Sequence, residues 1–372
     1  MSLYDQLNVR RVVNAAATFT AVGGSLMPDP VLDAMRAAAA SYVDMHELQD
    51  AAGSHLAALT HNEAAMVTSG CAAALVLGTL GAITRGDPRA TLEFAQTGLA
   101  KDVVMHAAHR IPYDPAIRLA GANIVQIGNV LQTFDWELEA ALTNRTALVV
   151  WVAGSHLARG ALDLETTVRI AHSHEIPVLV DAAAQLPPHT NLWHFTRDIG
   201  ADAAVFSGGK SLRGPQASGL MVGTASFVAA ARANAAPHQR LARALKVGKE
   251  EIAGLVCAVE LFLSRDHEAV AAEWEETVRD WVRRLNAVPG VIAARDFPNE
   301  AGQPVPRIRV ELDRTQTGLT ADELRQRLWD GNPRVLVLPG GVDFFFATPD
   351  TLAAGEAGLI PGLIVDALGH LS

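Results

Sequence analysis

The apolar residues of this chain fall into short runs separated by stretches with helical spacing. Between about residues 56 and 235 the runs lie at Ala64–Val67, Thr91–Phe94, Val103–Met105, Asn123–Val125, Ala147–Val152, Val178–Val180 and Ala203–Phe206. Each run reads as a strand, and repeated strand–helix alternation implies an α/β fold with a mainly parallel central sheet covered on both faces. Residues 1–55 read as an N-terminal arm: Asn14–Gly24 is small and polar, Pro28 and Pro30 open a helix, and Tyr42–His55 continues helically. Residues 236–285 read as connecting helices. A loop from Pro237 enters a long helix near Lys249, with Glu250 and Glu251 in its first turn, and Glu273–Leu285 follows. Residues 286–372 form a smaller C-terminal α/β unit with strands near Ile308–Leu312, Val335–Leu338 and Phe344–Ala347. There Thr320 and Glu323 have the spacing of a capping box for a helix over Ala321–Leu328.

Composition narrows the class. The chain has 372 residues, 49% of them hydrophobic, which is enough for one large domain and a smaller one. A formal net charge of −10 argues against a nucleic-acid partner, because phosphate backbones demand basic patches. The two cysteines, Cys71 and Cys257, lie far apart and outside any metal-ligand spacing, so neither a disulfide nor a zinc framework is expected. The closest histidine pairs, His106 with His109 and His172 with His174, have no acidic or cysteine partners to complete a zinc set. Ala64–Thr84 carries no charge, yet Thr68, Ser69 and Gly70 interrupt it. It reads as a buried strand, a loop and a buried helix rather than a membrane span. Met1–Arg11 lacks the apolar stretch of a signal peptide, so a cytoplasmic location is expected by default.

Two strand ends carry candidate chemistry. The run Val178–Val180 ends on Asp181, followed by Ala182-Ala183-Ala184-Gln185. The run Ala203–Phe206 leads into Ser207-Gly208-Gly209-Lys210. An acid at a strand end is often only a turn residue, and a lysine after glycines is often solvated. Their order, each at a carboxyl end where open α/β sheets bind ligands, suits pyridoxal 5'-phosphate (PLP). That cofactor needs an amine to hold its aldehyde as a Schiff base and a carboxylate to keep its pyridine nitrogen protonated. Thr68-Ser69-Gly70-Cys71 adds a turn into an alanine-rich helix, where free amides and the helix dipole suit a phosphate. Gln185 either meets cofactor or substrate or is plain helix-start polarity. Arg307 and Arg309 alternate with Ile308 and Val310, and Arg307 is the candidate fork for a substrate carboxylate.

Residues 207–220, Ser-Gly-Gly-Lys-Ser-Leu-Arg-Gly-Pro-Gln-Ala-Ser-Gly-Leu, resemble the signature of the selenocysteine synthase-like branch of fold-type I (aspartate aminotransferase-like) PLP enzymes. Asn14–Pro28 with Gly23-Gly24, His109-Arg110 with Tyr113-Asp114, and Arg243–Ile252 resemble the smaller D-glucosaminate-6-phosphate ammonia-lyase-like members. The resemblance implies a homodimer or higher oligomer with active sites shared between subunits. It makes Lys210 the Schiff-base lysine, Asp181 the pyridinium partner and His109 the residue stacked on the ring. It assigns Ser69, Gly70, Cys71 and Ser207 to the phosphate, with Arg243 or Lys249 of a neighbouring subunit adding charge, and places Thr20, Gly23 and Gly24 with Arg307 at the substrate. The activity implied is that of a PLP-dependent lyase acting on an amino acid or amino-sugar acid through a carbanion at Cα, of the β-elimination (ammonia-lyase) or retro-aldol type. A racemase, a selenocysteine synthase-like transferase and a non-enzymatic PLP-binding regulator are the alternatives. Two departures stand out. The chain is acidic, unlike the tRNA-dependent members, and Phe344-Phe345-Phe346 precedes Ala347-Thr348-Pro349, where related proteins carry a more polar wall.

Overall fold

The computed structural model describes residues 2–95 and 98–369. Two compact units emerge. The larger takes Met27–Ser264 together with Glu300–Gly302, and the smaller takes Met1–Leu26, Arg265–Asn299 and Gln303–Ser372. The stretch expected as an arm over 1–55 is thus divided between the units after Leu26.

In the larger unit seven strands form one sheet: β2 (Ala64–Thr68), β3 (Asp102–His106), β4 (Asn123–Ile127), β5 (Thr146–Val152), β6 (Val178–Asp181), β7 (Ala203–Ser207) and β8 (Gly219–Gly223). Their spatial order is β2-β8-β7-β6-β5-β3-β4. All neighbours run parallel except β8, which is antiparallel to both β2 and β7. The reason for the apolar runs is visible in β6. Val178 and Val180 join one hydrophobic cluster and Leu179 the other, so both faces of the strand are buried. The helix Cys71–Thr84 is buried along most of its length against the sheet. No described helix is long and apolar enough to cross a membrane.

One expected strand is a helix. Of Thr91–Phe94, Thr91 and Leu92 end the helix Pro88–Leu92, and Glu93 and Phe94 lie in the turn after it. The Asp87 carboxylate accepts the Arg89 N–H at 2.8 Å, and Pro88 fills the first turn, so local capping overrides the β-leaning composition. The expected helix from Tyr42 starts later, at Met45, with the Asp44 side chain as its cap.

The smaller unit holds a five-stranded sheet of β1 (Val12–Ala15), β9 (Val291–Asp296), β10 (Arg307–Leu312), β11 (Arg334–Pro339) and β12 (Phe344–Ala347), in the order β1-β11-β12-β10-β9. β1 pairs in parallel with β11, Val12 opposite Arg334. Val13, Val335, Phe345, Ile308 and Val310 pack in one core with Trp281, Leu324 and Ile364. The capping box forms as expected, Thr320 Oγ1 accepting the Glu323 N–H at 3.2 Å while the Glu323 carboxylate takes the Thr320 N–H at 2.8 Å.

Candidate active site

Asp181 closes β6 and is buried. The Ala183 N–H donates to Oδ1 at 3.1 Å, as expected of an acid at a strand-end turn. The Cys71 thiol reaches the same oxygen at 3.8 Å. Both contacts fall on Oδ1, so Oδ2 keeps its lone pairs for another donor. Burial pushes the Asp181 carboxyl above its ordinary range. The Ala183 N–H, the Lys210 charge and the Cys71 thiol pull it back. Burial and the neighbouring carboxylate push the Cys71 thiol well up, so it remains a protonated donor.

Lys210 lies half-buried in the loop after β7, the strand paired with β6. The Gly208 N–H donates to Ser218 O at 2.9 Å, and the Gly214 N–H to Gly208 O at 2.8 Å. A Cβ on Gly209 would lie 2.5 Å from the Gln216 Cα, so the glycine allows the loop to fold back on itself. The Arg213 N–H closes a turn onto Lys210 O at 2.8 Å, and Arg213 takes a left-handed φ of 56°. That strain sits three residues after the lysine. Ser207 ends β7, its N–H on Ala183 O at 3.3 Å.

The turn Ser69–Cys71 leads from β2 into the helix Cys71–Thr84. Gly70 has φ 116° and the helix has no side-chain cap, so its first N–H groups point free of the helix end. The Ser69 hydroxyl donates to Leu245 O at 3.0 Å. Gly219 of β8 passes beneath: a Cβ there would be 2.6 Å from the Gly70 carbonyl carbon and 2.8 Å from the Cys71 N. Arg243 is exposed in a short turn, Arg243–Leu245. Lys249 is committed within its own subunit, its Nζ donating to Ala38 O at 2.8 Å and pairing with Glu250.

His109, in the turn after β3, is fully buried. The Val152 N–H donates to its Nδ1 at 3.2 Å, which places the ring hydrogen of the neutral imidazole on Nε2. Trp151 meets the ring edge-on at 5.1 Å, and His106 lies 4.9 Å away. His109 Nε2 and both nitrogens of His106 are buried without a partner among the described residues. Burial lowers His109 to about 3, with His106 adding to the effect, and lowers His106 to about 4.

Gln185 follows β6 with its side-chain nitrogen beside Gly154, where a Cβ would be 3.7 Å from it. The same position lies 3.0 Å from the His156 ring, a residue that sequence reasoning passed over. The remaining expected site residues belong to the smaller unit. Thr20 opens a short turn, Thr20–Val22. Gly23 (φ 93°) and Gly24 (φ 75°) follow, their N–H groups on Thr20 O and Phe19 O. Arg307 is buried, its Nε on Asp296 at 2.5 Å and its guanidinium 3.8 Å from the centre of the Phe346 ring. Arg309 lies over Phe344 in the same way, so these aromatic rings carry cations on their faces rather than presenting a bare apolar wall.

A carboxylate with one free oxygen, an amine in the loop after the next strand, an uncapped helix end and a buried imidazole with no partner among the described residues together fit PLP. Comparison with known proteins agrees. The L-seryl-tRNA selenium transferase (SelA) family model matches residues 12–274. The chain belongs to this family. It is 31% identical to the D-glucosaminate-6-phosphate ammonia lyase of Salmonella typhimurium, over 99% of this chain and 98% of the relative. A 5'-C-glycyluridine monooxygenase-decarboxylase from Streptomyces sp is 33% identical, over 89% of this chain and 83% of its own. An L-seryl-tRNA(Sec) selenium transferase of Geotalea uraniireducens is 27% identical, over 87% and 74%. A solved D-glucosaminate-6-phosphate ammonia-lyase superposes with a TM-score of 0.88 at 30% identity, covering 100% of this chain and 99% of that one. Family and fold make the chain a fold-type I, PLP-dependent enzyme of the lyase class.

Proposed function

We propose that this enzyme eliminates the β-substituent of a 2-amino-3-hydroxy acid, an amino-sugar acid in the first place, releasing ammonia and a 2-keto acid. The observation that carries this reading is the acid–amine pair at adjacent strand ends, in a chain that aligns end to end with a D-glucosaminate-6-phosphate ammonia lyase. Bound PLP supplies an electron sink for the pair left at Cα. Lys210 anchors the cofactor and then takes the Cα proton as general base. Asp181, held through Oδ1, offers Oδ2 to the ring nitrogen. The amides of Gly70 and Cys71 and the Ser207 hydroxyl hold the phosphate, and Ser69 joins them by turning its hydroxyl away from Leu245 O. His109 packs on the ring as a neutral imidazole, because its lowered pKa keeps charge off it at working pH.

The assembly belongs to the same proposal: a homo-oligomer whose neighbouring subunit lends Arg243 to the phosphate. Arg243 is favoured over Lys249 because the lysine already holds Ala38 and Glu250. Thr20, Gly23, Gly24 and Arg307 remain the candidate substrate contacts, Arg307 acting beside Asp296. The direct test incubates the PLP-loaded protein with D-glucosaminate-6-phosphate and with unphosphorylated D-glucosaminate. Release of ammonia and keto acid is expected. Cα racemisation without release would favour the racemase alternative and overturn elimination.

A further inference from the structure

We propose that His156 is the proton donor to the departing β-hydroxyl, an assignment that rests on the elimination reading above. The residue lies in the short helix Ser155–Ala158, on the loop that leaves the carboxyl end of β5. Immediately before it, Val152 holds His109 and the Ala153 N–H donates to the Asp181 carbonyl at 2.9 Å. The chain therefore runs from the candidate cofactor residues straight into His156. Gly154 is glycine for a geometric reason: its φ is 153°, and a Cβ would stand 3.0 Å from Cε1 and 3.2 Å from Nδ1 of the ring. The imidazole folds back over this glycine, on the same side as the Gln185 amide.

The ring is also oriented from behind. His156 Nδ1 lies 3.1 Å from the Glu300 carbonyl oxygen, and a carbonyl only accepts, so Nδ1 carries a hydrogen. The Ser155 N–H donates to Ala301 O at 3.1 Å, and Gly302 sits against the Ser155 side chain. This three-residue backing, 300–302, belongs to the larger unit with His156. With Nδ1 occupied, Nε2 is the nitrogen that gains and loses a proton, and the side chain is exposed. A base oriented by a third group through its other nitrogen is the arrangement that proton transfer at a substrate requires.

The step balances with groups already named. Lys210 takes the proton from Cα, and the C–H electrons form the Cα=Cβ bond. The Cβ–O bond breaks with its pair on oxygen, and that oxygen takes the proton from Nε2 of the His156 imidazolium and leaves as water. His156 ends neutral and Lys210 protonated. Gln185 positions the hydroxyl.

The test uses the PLP-loaded enzyme with D-glucosaminate-6-phosphate in D2O, comparing wild type with His156→Asn and His156→Gln. Both variants are expected to exchange the Cα hydrogen within about threefold of wild type while ammonia release falls by roughly 10²-fold or more. Ammonia release within tenfold of wild type, or exchange and release falling together, overturns the assignment. Wild type that releases no ammonia overturns the elimination reading instead, and His156 with it. A separate readout needs no turnover: ¹⁵N chemical shifts of His156 in the cofactor-free protein should show that the neutral ring carries its hydrogen on Nδ1. The opposite tautomer removes the proposal's geometric basis.

Discussion

Cys71 and Asp181 share a single oxygen: the thiol lies 3.8 Å from Oδ1, which also takes the Ala183 N–H, and Oδ2 is left without either donor. Asp181 is therefore held in one orientation by two weak bonds before any cofactor arrives. Replacing Asp181 with Asn keeps the shape and removes the charge. Cofactor should bind more weakly, at a level independent of acid pH, and at saturating PLP kcat should still be down by roughly 10²–10³-fold, the usual scale for losing one preorganised electrostatic partner. Near wild-type turnover would show that Asp181 is not the ring partner.

With the proposed role, the same residue should set a pH limit on cofactor retention. Burial raises the Asp181 pKa, so acid protonates it earlier than an ordinary aspartate. Below that raised value the neutral carboxyl no longer attracts a protonated ring nitrogen. PLP affinity, measured by equilibrium dialysis, should fall as pH drops through that titration. Asp181→Asn should lack this acid limb.

Borohydride reduction of the loaded protein should leave the pyridoxyl group on Lys210, as peptide mapping would read. Mapping to any other lysine contradicts the role given to the Gly208–Gly209 loop.

His106 and His109 tie folding stability to pH. Their values fall from 6.5 to about 4 and about 3, so the unfolded chain binds more protons between pH 6.5 and about 4. Stability is then full above pH 6.5 and is lost as pH falls, with a slope of about 1.4 kcal/mol per pH unit for each proton. Thermal melts of the cofactor-free protein should show this decline, and His106→Leu should flatten it by one proton's share. An unchanged slope would mean that His106 titrates normally in the fold.

Arg243 and Lys249 separate by phenotype. Arg243→Ala should weaken PLP binding by roughly ten- to a hundredfold, as loss of a charge-assisted bond does. Lys249→Ala should mainly lower the melting temperature, since its amine holds the Ala38 carbonyl. Mixed oligomers of Arg243→Ala and Lys210→Ala should regain some activity, each defect lying on a different chain. A monomer by light scattering would argue against shared sites.

The places of Asp181 at a strand end and of Lys210 in the loop after the neighbouring strand were legible because both strands carry unmistakable apolar runs, and adjacent parallel strands bring such ends together. The Thr320–Glu323 box was legible because capping is local. Thr91–Phe94 misled because its composition leans to β while the deciding signal, Asp87-Pro88, lies upstream. β1 was missed because its partner strand is more than 300 residues away in sequence. Arg307 and Arg309 lie two apart, so they share a face, and only the packing distinguishes the buried one from the half-buried one. His156 and the aim of the Cys71 thiol left no sequence signal, since each is defined by a partner over 100 residues away.

β8 works as a spacer bar. It lies between β2, which carries the Ser69–Cys71 turn, and β7, which carries the lysine loop, so those strands sit two sheet spacings apart, roughly 10 Å. Gly219 presses this bar against the Ser69–Cys71 turn, leaving no slack on that side. Neither grip can be widened without tearing a ladder on both edges of β8. In this unit a new substrate must therefore be accommodated by remodelling the far side, the loops that follow β3, β5 and β6, and selection for altered specificity should accumulate changes there rather than along 207–220.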